Sequence, residues 1–324
     1  MLYPLKFKPI YKDKIWGGNK LKTILNKDFG ALPNCGESWE LSGVEGDVSV
    51  VANGFLEGNT LSEIIEIYMS DLLGEKVYEK FGIEFPLLIK FIDANDVLSI
   101  QVHPDDKLAV ERHHAFGKTE MWYIIQADEG AELISGFNKT INKEIYLKHL
   151  EDKTLKNILN VEKVKSGNVF FIPAGRVHAI GSGILLAEIQ QTSDVTYRIY
   201  DWDRLDAQGN SRELHTELAL GAINFEHCKN PRENYKANKN VSSNVVECEY
   251  FTTNIIELDK PLQKDYNNID SFVIYMCLEG NVSICYNEKI ETLKIGETIL
   301  IPAELKELTL QPIKNAKVLE VYIK

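Results

Sequence analysis

Three features are scarce in this chain of 324 residues: cysteine pairs, long apolar segments and positive charge. The five cysteines are scattered and form no Cys-x-x-Cys pair, which favours reduced thiols in a cytoplasm over a disulfide framework. No apolar run is long enough to cross a membrane, and the opening MLYPLKFKPI lacks the apolar core and cleavage site of a secretory signal. We therefore expect a cytoplasmic globular protein.

The charge balance restricts the partners. With 36 Lys and Arg against 48 Asp and Glu, the net charge is -12 at pH 7, which repels nucleic acid and anionic lipid over most of the surface. We expect a small-molecule partner rather than nucleic acid or a membrane. An anionic substrate would need a local basic pocket in so acidic a protein.

The order of helix-like and strand-like patterns predicts a mainly β protein with inserted α-helical segments. Residues 60–82 combine an N-capping threonine, apolar residues at helical spacing and a terminal glycine, which predicts an amphipathic helix. Two further helices are predicted within 142–159 and 211–225. From residue 85 onward, short runs rich in Val, Ile, Phe and Tyr are separated by turn residues, as in antiparallel β sandwiches and barrels.

Two stretches in the middle of the chain resemble two stretches near its end, which predicts two jelly-roll β-barrels. EMWYIIQADEGAELISGF, from Glu120, resembles DSFVIYMCLEGNVSICY, from Asp270, and GNVFFIPAGRVHAI resembles GETILIPAELKELTL. We expect a catalytic module over 1–230 and a β module over 244–324, joined by a polar linker within 226–243. Asp270 and Glu307 would then replace Glu120 and His178, so we expect no metal in the second module.

Polar residues with metal-ligand chemistry gather in the first module. In SIQVHPDD, alternation along a strand places Gln101 and His103 on one face. Glu120 in GKTEMWY and His178 in IPAGRVHAI complete a mixed nitrogen and oxygen set that suits Zn²⁺, with Fe²⁺, Mn²⁺ or Co²⁺ also possible. A strand-end histidine alone is more often simply hydrogen-bonded. The convergence of several ligand types favours a catalytic metal with open coordination positions.

At LLIKFIDANDVLSIQVHPDD, GKTEMWY, PAGRVHAIG and LLAEIQQTSDVTYRIYDWDR the sequence closely resembles the zinc-dependent type I mannose-6-phosphate isomerases, in the short bacterial form. The resemblance implies a double cupin fold with a helical portion. It also implies one Zn²⁺ per chain, held by Gln101, His103, Glu120 and His178. The implied reaction interconverts mannose 6-phosphate and fructose 6-phosphate by moving a proton between C1 and C2 through an enediol.

The same resemblance implies roles for six further residues. The substrate-binding positions match Lys90, Ser99 and Trp16, and the catalytic positions match Arg198, Glu188 and Lys118. Arg198 would stabilise developing oxyanion charge, and Glu188 is the expected base, with Lys118 as the competing proton carrier. Family members commonly carry a His-Pro pair after GESWELSG, but this chain has VEGDVSVVANG there, so the group that opens the sugar ring stays undetermined.

Two other functions share the predicted fold. One is a sugar-phosphate-binding cupin without turnover, against which the presence of Lys90, Ser99, Glu188 and Arg198 argues. The other is an iron-dependent cupin oxygenase, which would use a His-rich facial site, whereas this set contains Gln and Glu with basic groups around them. The oligomeric state stays open.

Overall fold

The computed structural model describes residues 1–205 and 209–324, which form a mainly β fold with inserted helices, as predicted. The strands of the first part of the chain are β1 (Leu5–Lys6), β2 (Ile10–Gly18), β3 (Cys35–Leu41), β4 (Leu87–Ala94), β5 (Ile100–Val102), β6 (Glu120–Ala127), β7 (Glu132–Phe137), β8 (Leu159–Lys163), β9 (Val169–Ile172), β10 (His178–Ala179), β11 (Ile184–Gln191) and β12 (Tyr197–Tyr200). The later strands are β13 (Ser243–Glu247), β14 (Thr252–Leu258), β15 (Leu262–Asp265), β16 (Val273–Glu279), β17 (Asn281–Tyr286), β18 (Lys289–Lys294), β19 (Thr298–Ile301), β20 (Glu307–Pro312) and β21 (Ala316–Tyr322). The α-helices are α1 (Lys20–Thr23), α2 (Leu61–Leu73), α3 (Glu75–Phe81), α4 (Asp106–His113), α5 (Lys143–Glu151) and α6 (Thr216–Ala222).

The described strands form four antiparallel sheets. The first has the order β2-β3-β4-β11-β6-β9 and the second the order β12-β5-β10-β7-β8. The third has the order β1-β19-β16-β21-β14-β13 and the fourth the order β15-β20-β17-β18. The described strands form the sheet pairs of a jelly roll rather than closed barrels, because each hydrogen-bonded ladder ends at two edge strands instead of returning to its start. Facing sheets are instead held together by side-chain packing.

The polar face of β5 points into the space between the first two sheets. An apolar cluster there includes Ile92 and Trp122 from the first sheet and Leu133 from the second. On the other face of β5, Ile100 and Val102 belong to a separate cluster that is shared with α5 and α6. Because neighbours along a strand point to opposite faces, Gln101 points into the space between the sheets, as the sequence pattern predicts.

The two parts of the chain are closely joined. Strand β1 pairs with β19, so residues 5 and 6 lie in the third sheet, and one continuous core contains residues from both parts. In the predicted linker, the Tyr235 hydroxyl donates a hydrogen bond to the carbonyl of Gly167 at 2.8 Å. The division at 1–230 and 244–324 stays a prediction. In the described residues, no helix has the length and apolarity needed to cross a lipid bilayer.

The helix predicted over 60–82 begins as expected but is broken in the middle. Thr60 forms a capping box with Glu63 at the start of α2. Gly74 then separates α2 from α3 with φ at +90°, a backbone conformation that residues with a Cβ rarely adopt. The other two predicted helices are shorter than expected, because helix is confined to α5 and α6 and a 3₁₀ turn occupies Leu155–Ile158.

In the structure, the two repeated segments correspond in a different register from the predicted one. Ile172 pairs with Glu120, whereas the matching Ile301 pairs with Val273, so Val273 and not Asp270 stands in the place of Glu120. Matching the shared Glu-Gly turn gives the wrong register, because Glu129 comes nine residues after Glu120 whereas Glu279 comes six residues after Val273. Asp270 instead accepts hydrogen bonds from two backbone N–H groups at the start of α3, and Glu307 is exposed on β20.

Candidate active site

Three predicted metal ligands meet in the space between the first two sheets. Glu120 and His178 are the first residues of β6 and β10, and His103 follows β5 directly. Nε2 of His103 lies 3.5 Å from Oε2 of Glu120, and Nε2 of His178 lies 3.4 Å from its Oε1. All three side chains are at most 1% exposed. The fourth predicted ligand, Gln101, stands directly opposite His178 in the pairing of β5 with β10.

The hydrogen bonds of the two imidazoles leave their ligand nitrogens free. Nδ1 of His103 contacts the carbonyl of Val195 at 3.1 Å, and Nδ1 of His178 contacts the carbonyl of Arg176 at 2.8 Å. Since a carbonyl only accepts, each Nδ1 carries the hydrogen and each Nε2 presents a lone pair. Burial is the main cause that lowers the pKa of both imidazoles, which favours the neutral form that binds metals.

The cluster has the composition of a divalent metal site. Within the described residues, both Nε2 atoms and both carboxylate oxygens of Glu120 are buried and have no hydrogen-bond partner. Lone pairs of two neutral imidazoles that face a carboxylate repel one another unless a cation lies among them. His103, Glu120 and His178 form the group of possible ligand atoms found within the described residues, all within 4.8 Å of one another.

Beside this cluster, a buried ion pair joins two residues to which the resemblance gave separate roles. Lys90 on β4 and Glu188 on β11 are directly opposite in register, with Nζ and Oε1 3.0 Å apart. Nε1 of Trp122 donates to the other oxygen of Glu188 at 2.9 Å. Burial lowers the pKa of Lys90, but Glu188 and Glu37 outweigh it, so the pKa is raised and the amine stays protonated.

Sequence reasoning missed a second layer around Lys90. The Oε2 atom of Glu37 lies 4.0 Å from its Nζ, and the ring of Trp39 lies 5.1 Å away. Nε1 of Trp39 also donates to Glu37 at 2.6 Å. The signal was present in GESWEL, where Glu37 and Trp39 share one strand face. That face could be identified only once β3 was known to lie next to β4.

A cavity of about 370 Å³ opens beside the cluster. It is lined by the seven predicted site residues outside the His-Glu-His group: Trp16, Lys90, Ser99, Gln101, Lys118, Glu188 and Arg198. The cluster and the cavity are contiguous, because Nζ of Lys118 lies 3.6 Å from Oε2 of Glu120. The structure therefore brings all ten predicted residues together.

The cavity is basic in an acidic protein, as expected for an anionic substrate. Its charged lining residues are Lys12, Lys14, Lys90, Lys118, Arg198 and Arg212 against Glu37, Asp47, Glu188 and Asp194. No histidine is among the described residues that line the cavity. Asp47, from the segment that replaces the His-Pro pair, contacts Lys12 at 2.5 Å.

Comparisons with known proteins agree with this geometry. Residues 4–163 match the family model of the phosphomannose isomerase type I catalytic domain, and residues 242–322 match the mannose-6-phosphate isomerase cupin domain. Mannose-6-phosphate isomerase ManA of Bacillus subtilis is 37% identical over 95% of this chain and 96% of its own. A mannose-6-phosphate isomerase of Streptococcus mutans is 35% identical over 94% of each chain.

Solved structures show the same similarity. The crystal structure of the mannose 6-phosphate isomerase from B. subtilis matches with a TM-score of 0.90 at 32% identity, over 99% of this chain and 100% of that one. A structure from Archaeoglobus fulgidus matches with a TM-score of 0.81 at 21% identity over 100% of this chain and 99% of its own, and shows the fold alone.

The fold and the buried His-Glu-His cluster define a cupin with a candidate metal centre beside a basic cavity. Because its relatives match it over almost their whole length, the chain belongs to the type I phosphomannose isomerase family and is an isomerase. This membership argues against both alternatives, the binding protein without turnover and the iron-dependent oxygenase.

Proposed function

We propose that this protein interconverts mannose 6-phosphate and fructose 6-phosphate with one divalent metal ion, Zn²⁺ by preference. The observation that carries the proposal is the set of four buried, unpartnered ligand atoms of His103, Glu120 and His178 beside a basic cavity. Gln101, opposite His178, would supply an oxygen ligand. When bound, the metal would act as a Lewis acid that polarises a hydroxyl or carbonyl oxygen of the sugar.

Glu188 is the residue that we propose as the base. The reaction moves a proton between C1 and C2, so it needs a group that can accept the proton on one carbon and return it to the other. Lys90 and Trp122 each contact one oxygen of the Glu188 carboxylate, which fixes its plane at the edge of the cavity. Lys118 is the competing proton carrier, because it lines the cavity with its amine 3.6 Å from Glu120 in the metal-binding cluster.

Three further roles complete the proposed reaction. Arg198 stands directly opposite Gln101 across β12 and β5, so its charge lies near the metal-binding set and would stabilise the oxyanion of the enediol. Trp16 and Ser99, which are 4% and 5% exposed, form part of the cavity wall and would contact the sugar together with Lys90. A cytoplasmic location stays a prediction.

A coupled assay for fructose 6-phosphate tests the proposal. The zinc-loaded protein should convert mannose 6-phosphate, and Glu188→Gln should lower kcat by about 10² to 10⁴, the usual contribution of a positioned base, without loss of metal. Glu111→Gln, on an exposed side chain of α4, is the matched control and should leave kcat unchanged. Full activity of Glu188→Gln would reject this base and shift attention to Lys118.

A further inference from the structure

Two guanidinium groups line one end of the cavity. Arg198 lies on β12, and Arg212 lies on the segment that leads from β12 to α6. Nη1 of Arg198 donates a hydrogen bond at 2.8 Å to the carbonyl of Glu213, the residue next to Arg212. The strand and the returning segment are therefore tied together at this point, and both arginines face the same space.

The buried carboxylate of Asp201 fixes the orientation of Arg212. Its Nε donates to Oδ2 of Asp201 at 2.7 Å and its Nη2 donates to Oδ1 at 2.5 Å, and Asp201 is only 5% exposed. This bidentate pair uses two of the five N–H groups of the guanidinium and fixes its plane. Among the described residues, Nη1 and the second hydrogen of Nη2 meet no other acceptor, and they have the fork geometry that suits a phosphate.

The charges at this end of the cavity are less compensated than elsewhere. Lys90 lies 3.0 Å from Glu188, and Lys118 lies 3.6 Å from Glu120. Arg198, by contrast, has no carboxylate within 4.0 Å among the described residues, and the buried Asp201 pairs with Arg212, so two guanidinium charges face one paired carboxylate here. Asp194 also lines the cavity, but it is exposed to solvent, which screens its charge.

We propose that Arg212, oriented by Asp201, binds the phosphate group of the sugar substrate, with Arg198 between it and the metal-binding set. This inference rests on the proposed function and names the part of the cavity that recognises the dianion. It places the phosphate at the arginine end, and leaves Lys90 to orient Glu188 and contact the sugar. The phosphate is remote from C1 and C2, so Arg212 should contribute equally to binding of the substrate and of the transition state.

Steady-state kinetics and calorimetry of the zinc-loaded enzyme test this assignment. Arg212→Met should raise both KM for mannose 6-phosphate and Kd for inorganic phosphate by about 10- to 100-fold, the usual value of a charge-assisted hydrogen bond. Its kcat should change by less than about 3-fold, because uniform binding affects KM. Turnover of unphosphorylated mannose should be unchanged, since that sugar offers no partner to Arg212.

Arg204→Met is the matched control. Arg204 lies on the same segment, but it donates to the carbonyl of Val97 and does not line the cavity. Arg212→Lys keeps the charge and should give a phosphate Kd between those of the wild type and Arg212→Met, which guards against a variant that fails to fold.

Either of two results would overturn the assignment: a phosphate Kd within about 2-fold of the wild type in Arg212→Met, or equal weakening in Arg204→Met. The proposed function fails separately, through absence of mannose 6-phosphate turnover in the wild type. In that event, the phosphate titration still decides the role of Arg212.

Discussion

Replacing Glu37 with glutamine should change how stability depends on pH. Burial raises the pKa of this carboxyl, but Lys90, Lys14 and the hydrogen bond from Trp39 outweigh burial and lower the pKa to about 2. In the unfolded chain a glutamate has a pKa of about 4.3. Because the folded value is the lower one, the contribution of Glu37 is fully present above about pH 4.3 and is lost as the pH falls towards 2.

The size of the effect follows from the same values. A difference of roughly two pKa units corresponds to about 3 kcal/mol of unfolding free energy at neutral pH. The Glu37 side chain is 12% exposed, so solvent screening reduces this figure little. Glutamine cannot ionise, so Glu37→Gln should lower the unfolding free energy by up to about 3 kcal/mol near pH 7, and the deficit should shrink towards acid pH.

Urea unfolding followed by tryptophan fluorescence, from about pH 7 to about pH 2.5, measures this difference. Asp47→Asn is the control, because Asp47 is 31% exposed and pairs with Lys12 at the edge of the cavity, where ion pairs contribute about 0 to 1 kcal/mol. A Glu37→Gln deficit that stayed constant across the pH range, or that was absent near neutrality, would refute the proposed charge network around Lys90.

Three other substitutions test separate parts of the structure. Trp122→Phe removes the hydrogen-bond donor to Glu188. In the isomerase assay kcat should therefore fall by roughly 10-fold or more, with the metal content unchanged. An unchanged kcat would contradict the role of this contact. Gly74→Ala places a Cβ 2.5 Å from the carbonyl oxygen of Asp270, at a residue with φ +90°. The unfolding free energy measured by calorimetry should therefore fall by about 1–3 kcal/mol. An unchanged Tm would show that the backbone can shift. Glu320→Gln leaves the Lys264 amine, 2.7 Å away, without its buried carboxylate partner. The unfolding free energy measured with urea should fall by about 3–5 kcal/mol. A fall below about 1 kcal/mol would mean that solvent reaches this pair.

Local patterns in the sequence were enough to predict the centre of the site. Alternation along β5 encodes which side chains share a face, so Gln101 could be separated from Ile100 and Val102 without coordinates. The capping box of Thr60 and Glu63 is likewise contained within four adjacent residues. The metal-binding set was recognisable because imidazole nitrogens and the oxygens of carboxylates and amides are distinctive metal ligands, even where the chain between them is long.

Features that depend on contacts between distant segments were not predictable in the same way. The Lys90–Glu37 contact requires β3 to lie beside β4, and the Asp201–Arg212 pair requires a segment to turn back on itself. At the break at Gly74, Asp270 from far along the chain lies against the backbone and accepts hydrogen bonds from the first two N–H groups of α3. Helical periodicity continues across that glycine, so the sequence pattern alone predicted one helix, whereas the structure has α2, which is kinked at Met69, and α3.

Metal titration of the wild type and of His178→Ala tests the central claim most directly. The wild type should bind one equivalent of divalent metal, lose isomerase activity on exhaustive chelation and regain it with Zn²⁺. His178→Ala should weaken metal binding by about 10- to 100-fold or more, whereas His113→Ala, on the exposed end of α4, should bind as the wild type does. Full activity of the metal-free wild type, or undiminished metal affinity in His178→Ala, would contradict the assignment of the site.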